Sequence, residues 1–210
     1  MSFLKIIIYN LIKIYSSLYS YSFNRYLQIK WNLIYSIWVS FEFKKFGEKS
    51  MINSQLILIG GKYISIGDNT NIGVRSVLTA WDQYNNIPFQ PEIIIGSNVS
   101  IGDDSHITAI NKIVIGNNVL TGKKITITDN SHGKSLLELF DIAPSQRNLY
   151  SEGPVYIEDG VWIGDKVTIL PNVRIGKNSI IGANAVVTKD IPSNCVAAGN
   201  PARIIKIINN

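Results

Sequence analysis

An aliphatic residue stands at every sixth position from Ile157 onward: Ile157, Ile163, Ile169, Ile175, Ile181 and Val187. A period of six matches neither the 3.6 of a helix nor the simple alternation of a half-buried strand. It fits a chain wound into a triangular coil, with one apolar side chain turned inward on each flat face. Such a repeat decides the fold before any single element does. Nine of the sixteen glycines directly follow an isoleucine, from Ile59-Gly60 to Ile181-Gly182, so the repeat reaches back to about Ile59.

The corners of the coil are visible as well. Third after the aliphatic stand Asn69, Asn98, Asp104, Asn118, Asn130, Gly160, Asn172, Asn178, Asn184 and Asp190. These residue types tolerate the left-handed backbone that a sharp corner requires. One position on come Thr70, Ser76, Val99, Ser105, Val119, Val167, Val173, Ser179 and Ala185, small or β-branched residues that suit a narrow interior. Three faces of six give a coil of 18 residues. Five to six coils at a strand spacing of about 4.8 Å make a prism roughly 25–30 Å long. The expected class is all-β, with a helical segment ahead of the coil.

That segment, residues 1–46, contains no Gly and no Pro. Leu27, Trp31, Ile34, Trp38 and Phe41 fall at three-and-four spacing and predict a helix over 24–44; a second is expected over 3–20. The longest uncharged runs, Ile14–Asn24 and Trp31–Phe41, are 11 residues each, short of the roughly 17–25 that a membrane span needs. No small-residue cleavage pattern marks a signal peptide. Two readings stand: the helices pack on the coil or on a neighbouring subunit, or they lie in a membrane interface as a peripheral contact. Residues 47–56 read as a linker, 57–192 as the coil and 193–210 as a tail crossing the end of the prism.

Three register breaks interrupt the coil, and each must project at a corner. They are Trp81–Pro91, a two-residue slip at Asn111-Lys112, and Gly133–Pro154. The third is long and without the six-residue pattern, which marks it as a functional loop.

Composition narrows the chemistry. An apolar content of 46% is too high for a disordered chain, and a net charge of +5 with a pI near 9.2 mildly favours anionic partners. Cys195 is the only cysteine, so there is no internal disulfide framework and a reducing, cytoplasmic setting is expected, with the inner face of a membrane as the alternative site. No Cys/His cluster suggests a metal, no GxSxG a serine nucleophile, and no GxGxxG a dinucleotide. No nucleic-acid motif stands out.

Two histidines remain. His132, in ITITDNSHG, immediately precedes the longest break; an imidazole at the rim of a cleft suits general base catalysis near neutral pH. Asp129, three residues earlier, or a backbone carbonyl is in reach to orient it. His106 closes the hexad IGDDSH one or two coils away, and Asn111 sits at the slip. Trp162 takes an outward position on the coil, as a subunit contact or a ligand wall.

Taken together, the Ile-Gly hexads, TDNSHG, the long loop, VYIEDGVWIGDKVTILPNVRIGKNSIIGANAVVTKDIP and AAGNPAR resemble the hexapeptide-repeat acyltransferases. The resemblance is narrowest to sugar O-acetyltransferases related to galactoside and maltose acetyltransferases and to those of capsule and lipopolysaccharide. It covers about residues 57–208. It implies a left-handed parallel β-helix, a homotrimer with sites between neighbouring prisms, and acetyl-CoA as donor. The family's catalytic His matches His132. Its CoA-contacting positions fall on Trp162, Asp165, Ala183, Thr188, Lys189, Arg203 and Lys206. Asp165 is a departure, because relatives often have Ser there, so its contact is expected through the backbone. Acceptor-binding residues are expected around Asn111, His106 and Asp129. The implied reaction is acetyl transfer to a sugar hydroxyl in surface polysaccharide synthesis, on a free or lipid-linked acceptor. The rival readings are an N-acetyltransferase acting on an amino sugar or antibiotic, and a non-catalytic β-helix scaffold.

Overall fold

A computed structural model describes residues 3–134 and 141–208. The chain is a left-handed parallel β-helix preceded by two helices. Three parallel sheets form the faces of a triangular prism. The first runs from Lys45–Phe46 to Arg174–Ile175 in six strands, and the third from Ile57–Ile59 to Val186–Val187 in six. The second runs from Met51–Ile52 to Cys195–Ala198, where Arg203–Ile207 folds back antiparallel along its edge.

The hexad aliphatics stack in register from coil to coil. On the first face Ile66, Ile95, Ile115, Ile157 and Ile175 form one continuous column. On the third, Leu78, Ile107, Ile127, Ile169 and Val187 do the same. All ten are buried, so the core is a set of apolar ladders along the prism axis. The second column of small residues fills the corners. Where these carry hydroxyls the group is bonded: Ser76 Oγ donates to Gly73 O (2.9 Å), Ser105 Oγ to Gly102 O (2.7 Å) and Ser179 Oγ to Pro192 O (2.7 Å). A buried hydroxyl without such a partner would be destabilising.

Eight of the expected corner residues take left-handed backbone: Asn69, Asn98, Asp104, Asn118, Gly160, Asn172, Asn178 and Asn184. Asn130 and Asp190 do not, and both stand where the chain leaves the regular coil. Arg75, Lys124 and Lys166 also have positive φ (56°, 59° and 57°), although their type carries no preference for it. Here the stacked neighbours impose the corner on an unfavourable residue. Lys166→Asn should therefore raise stability by about 0.5–1 kcal/mol. The measurement is the urea midpoint at unchanged slope; an unchanged or lower midpoint contradicts it.

The coil begins earlier than the Ile-Gly pattern indicates. Residues 47–56, expected as a linker, are part of the first coil: Lys45–Phe46 pairs with Ser65-Ile66, and Met51–Ile52 with Asn71-Ile72. Ile52 is fully buried there. Phe46 and Ile52 keep the six-residue period, but without Asn or Gly three residues on; Lys49 and Gln55 take the left-handed backbone instead.

Two helices precede the coil: α1 (Phe3–Leu18) and α2 (Tyr21–Ser40). The Ser20 hydroxyl caps α2 by accepting the Phe23 N–H at 3.1 Å, which breaks the two helices apart at Tyr19-Ser20. Only the C-terminal half of α2 docks. Ser36 Oγ accepts the Ile52 N–H (2.9 Å), the Tyr35 hydroxyl accepts the Leu56 N–H (3.1 Å), and Asn32 Oδ1 accepts the Ser54 N–H (3.3 Å). The helix therefore docks on the first coil through this side, where Val39 is also buried. The stripe Leu27, Trp31, Ile34, Trp38 and Phe41 faces away, from 40% exposed at Leu27 to 82% at Phe41. No helix among the described residues is long and apolar enough to cross a membrane.

Candidate active site

The third face carries a cleft of about 370 Å³ on its outer side. Strand alternation builds its floor: with Leu78 and Ile107 pointing inward, every second residue points out. Pairing aligns these outward residues in two columns, Ile57–Val77–His106 and Ile59–Thr79–Thr108. Thr79 and Thr108 hydroxyls bond to each other at 2.9 Å. The floor is thus apolar at one end, with hydroxyls and an imidazole further along.

Two insertions supply the walls. The first break folds into a hairpin, Gln83–Tyr84 against Ile87–Pro88, turning through Asn85 and Asn86 at φ 47° and 63°. Positive φ at both central residues is the turn whose twist suits a two-residue hairpin, and Asn is among the residues that accept it. The long break leaves as Ser131–His132 and returns as Leu149–Tyr150, which pair antiparallel. Residues 135–140 of this loop lie outside the described residues. The two insertions are pinned together: the Tyr84 hydroxyl donates to Ser145 O (3.1 Å) and Asn85 Nδ2 to Gln146 O (3.3 Å).

His132 stands on the rim of this cleft, exposed, with Leu149 opposite it in the ladder. Tyr84 meets its ring edge-on, at 5.6 Å between centroids and 72° between planes, and Trp81 meets Tyr84 in turn at 6.4 Å and 89°. An edge-to-face contact of this kind favours one ring orientation. Trp81 and Tyr84 were not singled out from the sequence. Their signal is two aromatics inside a register break, WDQY, beside a chain that elsewhere turns aliphatics inward.

His106 lies in the same cleft as His132. Desolvation against the cleft wall lowers its pKa, so the ring is neutral at pH 7 and offers hydrogen bonds rather than charge. Asn111 is not part of the cleft lining. Its N–H goes to Asp129 and its side chain reaches Ser151 Oγ at 3.4 Å, at the foot of the long loop. Asp129 corrects the expectation attached to it. It is fully buried, so it does not touch an acceptor, and its hydrogen bonds go to amides and to Asn130 rather than to the His132 ring. Oδ1 accepts the Ile110 N–H (2.9 Å) and Asn130 Nδ2 (2.9 Å), and Oδ2 accepts the Asn111 N–H (2.8 Å). The carboxylate thereby holds together the corner from which the His132 strand departs.

The seven positions expected to meet a CoA donor spread over one face, two corners and one edge strand of a single chain. Trp162 stands half-exposed on the second face, in register with Ile180. Asp165 and Ala183 stack at the corner between the second and third faces, where the Asn184 N–H donates to Asp165 O at 2.9 Å. The Asp165 side chain accepts the Lys123 N–H at 2.8 Å, so it serves the coil beneath, and outward contacts at this position fall to the backbone. Thr188 and Lys189 lie at the next corner, exposed. Arg203 and Lys206 are exposed on the terminal edge strand, and the Arg203 guanidinium donates to Ala202 O at 2.9 Å. Among the described residues none of Lys189, Arg203 and Lys206 enters an ion pair, whereas Arg75, Lys112, Lys123 and Arg174 all do. The three cations are available to an anionic ligand. No group of three or more potential metal ligands occurs among the described residues.

Comparison with known proteins agrees with this architecture. The family described as bacterial transferase hexapeptide (six repeats) matches residues 154–189, and the hexapeptide repeat of succinyl-transferase matches 63–79. The putative lipopolysaccharide biosynthesis O-acetyl transferase WbbJ of Escherichia coli (strain K12) is 37% identical over 151 residues, covering 70% of this chain and 73% of that protein. Among solved structures, a maltose O-acetyltransferase from Clostridium difficile 630 is 28% identical with a TM-score of 0.54, over 82% of this chain and 73% of that one. AntD, an N-acyltransferase from Bacillus cereus crystallised with dTDP-4-amino-4,6-dideoxyglucose and coenzyme A, superimposes with a TM-score of 0.68 over 83% of this chain and 89% of that one. At 21% identity that likeness speaks to the fold alone.

Proposed function

The chain belongs to the hexapeptide-repeat acetyltransferases and is an acyltransferase, and from that premise we propose that it moves the acetyl group of acetyl-CoA onto a sugar hydroxyl, with His132 as general base. The observation that carries this reading is the placement of His132. Its exposed imidazole stands at the rim of a cleft whose walls are Trp81 and Tyr84 and whose floor holds Thr79, Thr108 and His106. Aromatic walls suit the apolar face of a pyranose, and hydroxyls with a neutral imidazole suit its ring substituents.

The mechanism follows from balance of protons. The acceptor hydroxyl oxygen attacks the thioester carbonyl as His132 takes its proton; the new C–O bond forms, the C–S bond breaks, and the same proton returns to the leaving thiolate. A backbone N–H at the cleft stabilises the developing oxyanion. The unpaired Lys189, Arg203 and Lys206 receive the phosphates of the donor, and the outward backbone at Asp165 and Ala183 borders its extended arm. Because these positions are spread around one prism, the reading includes a homotrimer in which the third face of one chain lies against a neighbour. The likeness to WbbJ supports an acceptor in surface polysaccharide synthesis.

The test is the chemistry of the product. Mass spectrometry of an acetylated acceptor should show an ester lost under mild alkali. An alkali-stable amide would instead assign the chain to N-acetylation, and absence of CoA binding in calorimetry would leave only the scaffold.

A further inference from the structure

Helices α1 and α2 present the largest apolar surface of the described chain that nothing covers. α1 has no buried residue at all. With 100° between successive residues, Phe3, Leu4, Ile7, Leu11, Ile14 and Leu18 fall within an arc of about 100°. Each of the six is at least 40% exposed. Lys5, Lys13 and Ser16 lie on the opposite arc, interleaved with the exposed Ile6, Tyr9 and Ile12, and Asn10 and Ser17 flank the apolar arc. α2 adds the outward stripe of Leu27, Trp31, Ile34, Trp38 and Phe41, because its docking uses the other side. Scattered exposed apolar residues need no explanation, but two contiguous faces of this size on one segment do.

We propose that α1 and α2 form a membrane-docking surface that seats on anionic lipid with α1 lying in the plane of the interface. Charge selects this occupant. From Phe3 to Phe41 the chain carries four cations, Lys5, Lys13, Arg25 and Lys30, and no acid; Glu42 is the first. A second copy of the same segment would bring the same positive charge, whereas an anionic bilayer supplies the opposite one. Length selects the orientation. The 16 residues of α1 extend about 24 Å, short of the roughly 30 Å hydrocarbon core. An exposed helix with a continuous apolar arc, lysines that can reach lipid phosphates from its far side, and Trp31 and Trp38 on the adjoining helix is the kind that lies in the headgroup boundary. The docking does not depend on the chemistry of the cleft. It sets the prism at a lipid surface, where a lipid-linked acceptor would be presented.

The experiment is co-sedimentation of the full chain with vesicles of phosphatidylcholine alone or mixed with phosphatidylglycerol. The chain should pellet with the anionic vesicles and much less with the neutral ones. Partitioning should weaken roughly fivefold for each cation removed, so at least about 25-fold for Lys5→Glu with Lys13→Glu, and it should fall as salt rises. Ile7→Ser with Leu11→Ser should abolish pelleting and leave circular dichroism and the sedimentation-velocity mass unchanged, since α1 contributes nothing to the core. Absence of binding to anionic vesicles overturns the proposal. So does wild-type binding by the serine variant. A serine variant that splits the assembly while keeping vesicle binding would assign the face to subunit contact instead.

Discussion

Replacing His132 with alanine should lower kcat at least about a hundredfold while leaving CoA affinity and oligomeric state as they are. A positioned general base contributes about 10²–10⁴-fold, and a hundredfold corresponds to about 2.7 kcal/mol of barrier. Structural cost should be small. The imidazole is exposed, the pairing of His132 with Leu149 runs through the backbone, and the side chain's ring contact is the edge of Tyr84. Tyr84→Phe separates orientation from chemistry: it keeps the ring against His132 and removes only the bond to Ser145 O. It should cost much less than His132→Ala, whereas Tyr84→Ala should fall between the two. The measurement is steady-state kinetics with an acceptor of proven acetylation. Transfer that survives His132→Ala at near wild-type rate would remove His132 from the mechanism.

The prism was readable because its determinants are local and periodic. Ile157 to Val187 repeat a single structural demand, and Asn at the corners states the backbone angle directly. Where the demand is met by neighbours rather than by the residue itself, the sequence is silent. Lys166 turns a left-handed corner because the coils on either side do, and Phe46-Gly47 and Ile52 join the first coil without the Asn that marks later ones. The helices were legible as helices, since a three-and-four stripe shows periodicity. The stripe did not show which way it faces: Leu27 to Phe41 turn outward because Asn32, Tyr35 and Ser36 find backbone partners on the first coil.

The cleft was half legible for a related reason. His132 marks itself by standing at the longest break. Its neighbours Trp81 and Tyr84 come from another insertion about fifty residues earlier, and only the pairing of coils brings the two breaks side by side. His106 joins them through register, because its column on the third face is shared with Val77 and Ile57. Asp129 misleads for the opposite reason. Its separation of three residues from His132 suggests a partner, but alternation and the corner turn its carboxylate inward, to amides of the preceding coil.

That inward carboxylate makes the second large prediction. Asp129→Ala should destabilise the fold by about 1–3 kcal/mol. It strands the buried Ile110 N–H and unpairs the part-buried Asn111 N–H, and an orphaned buried donor costs about 1–3 kcal/mol. Asp129→Asn should recover only part of this. One of its two oxygens becomes an NH₂ that must face an N–H donor, and the Asn130 side chain already competes for the other. The urea midpoint should fall with an unchanged slope, Ala further than Asn. A second readout distinguishes positioning from bulk stability. The corner held by Asp129 is the departure point of the Ser131–His132 strand, so kcat should drop at temperatures where the variant is fully folded, while CoA affinity, which we propose rests on Lys189 and Arg203, stays put. A variant with wild-type stability would show that the two amides find other partners. One that loses stability but keeps full kcat would show that the long loop, and not this corner, places the imidazole.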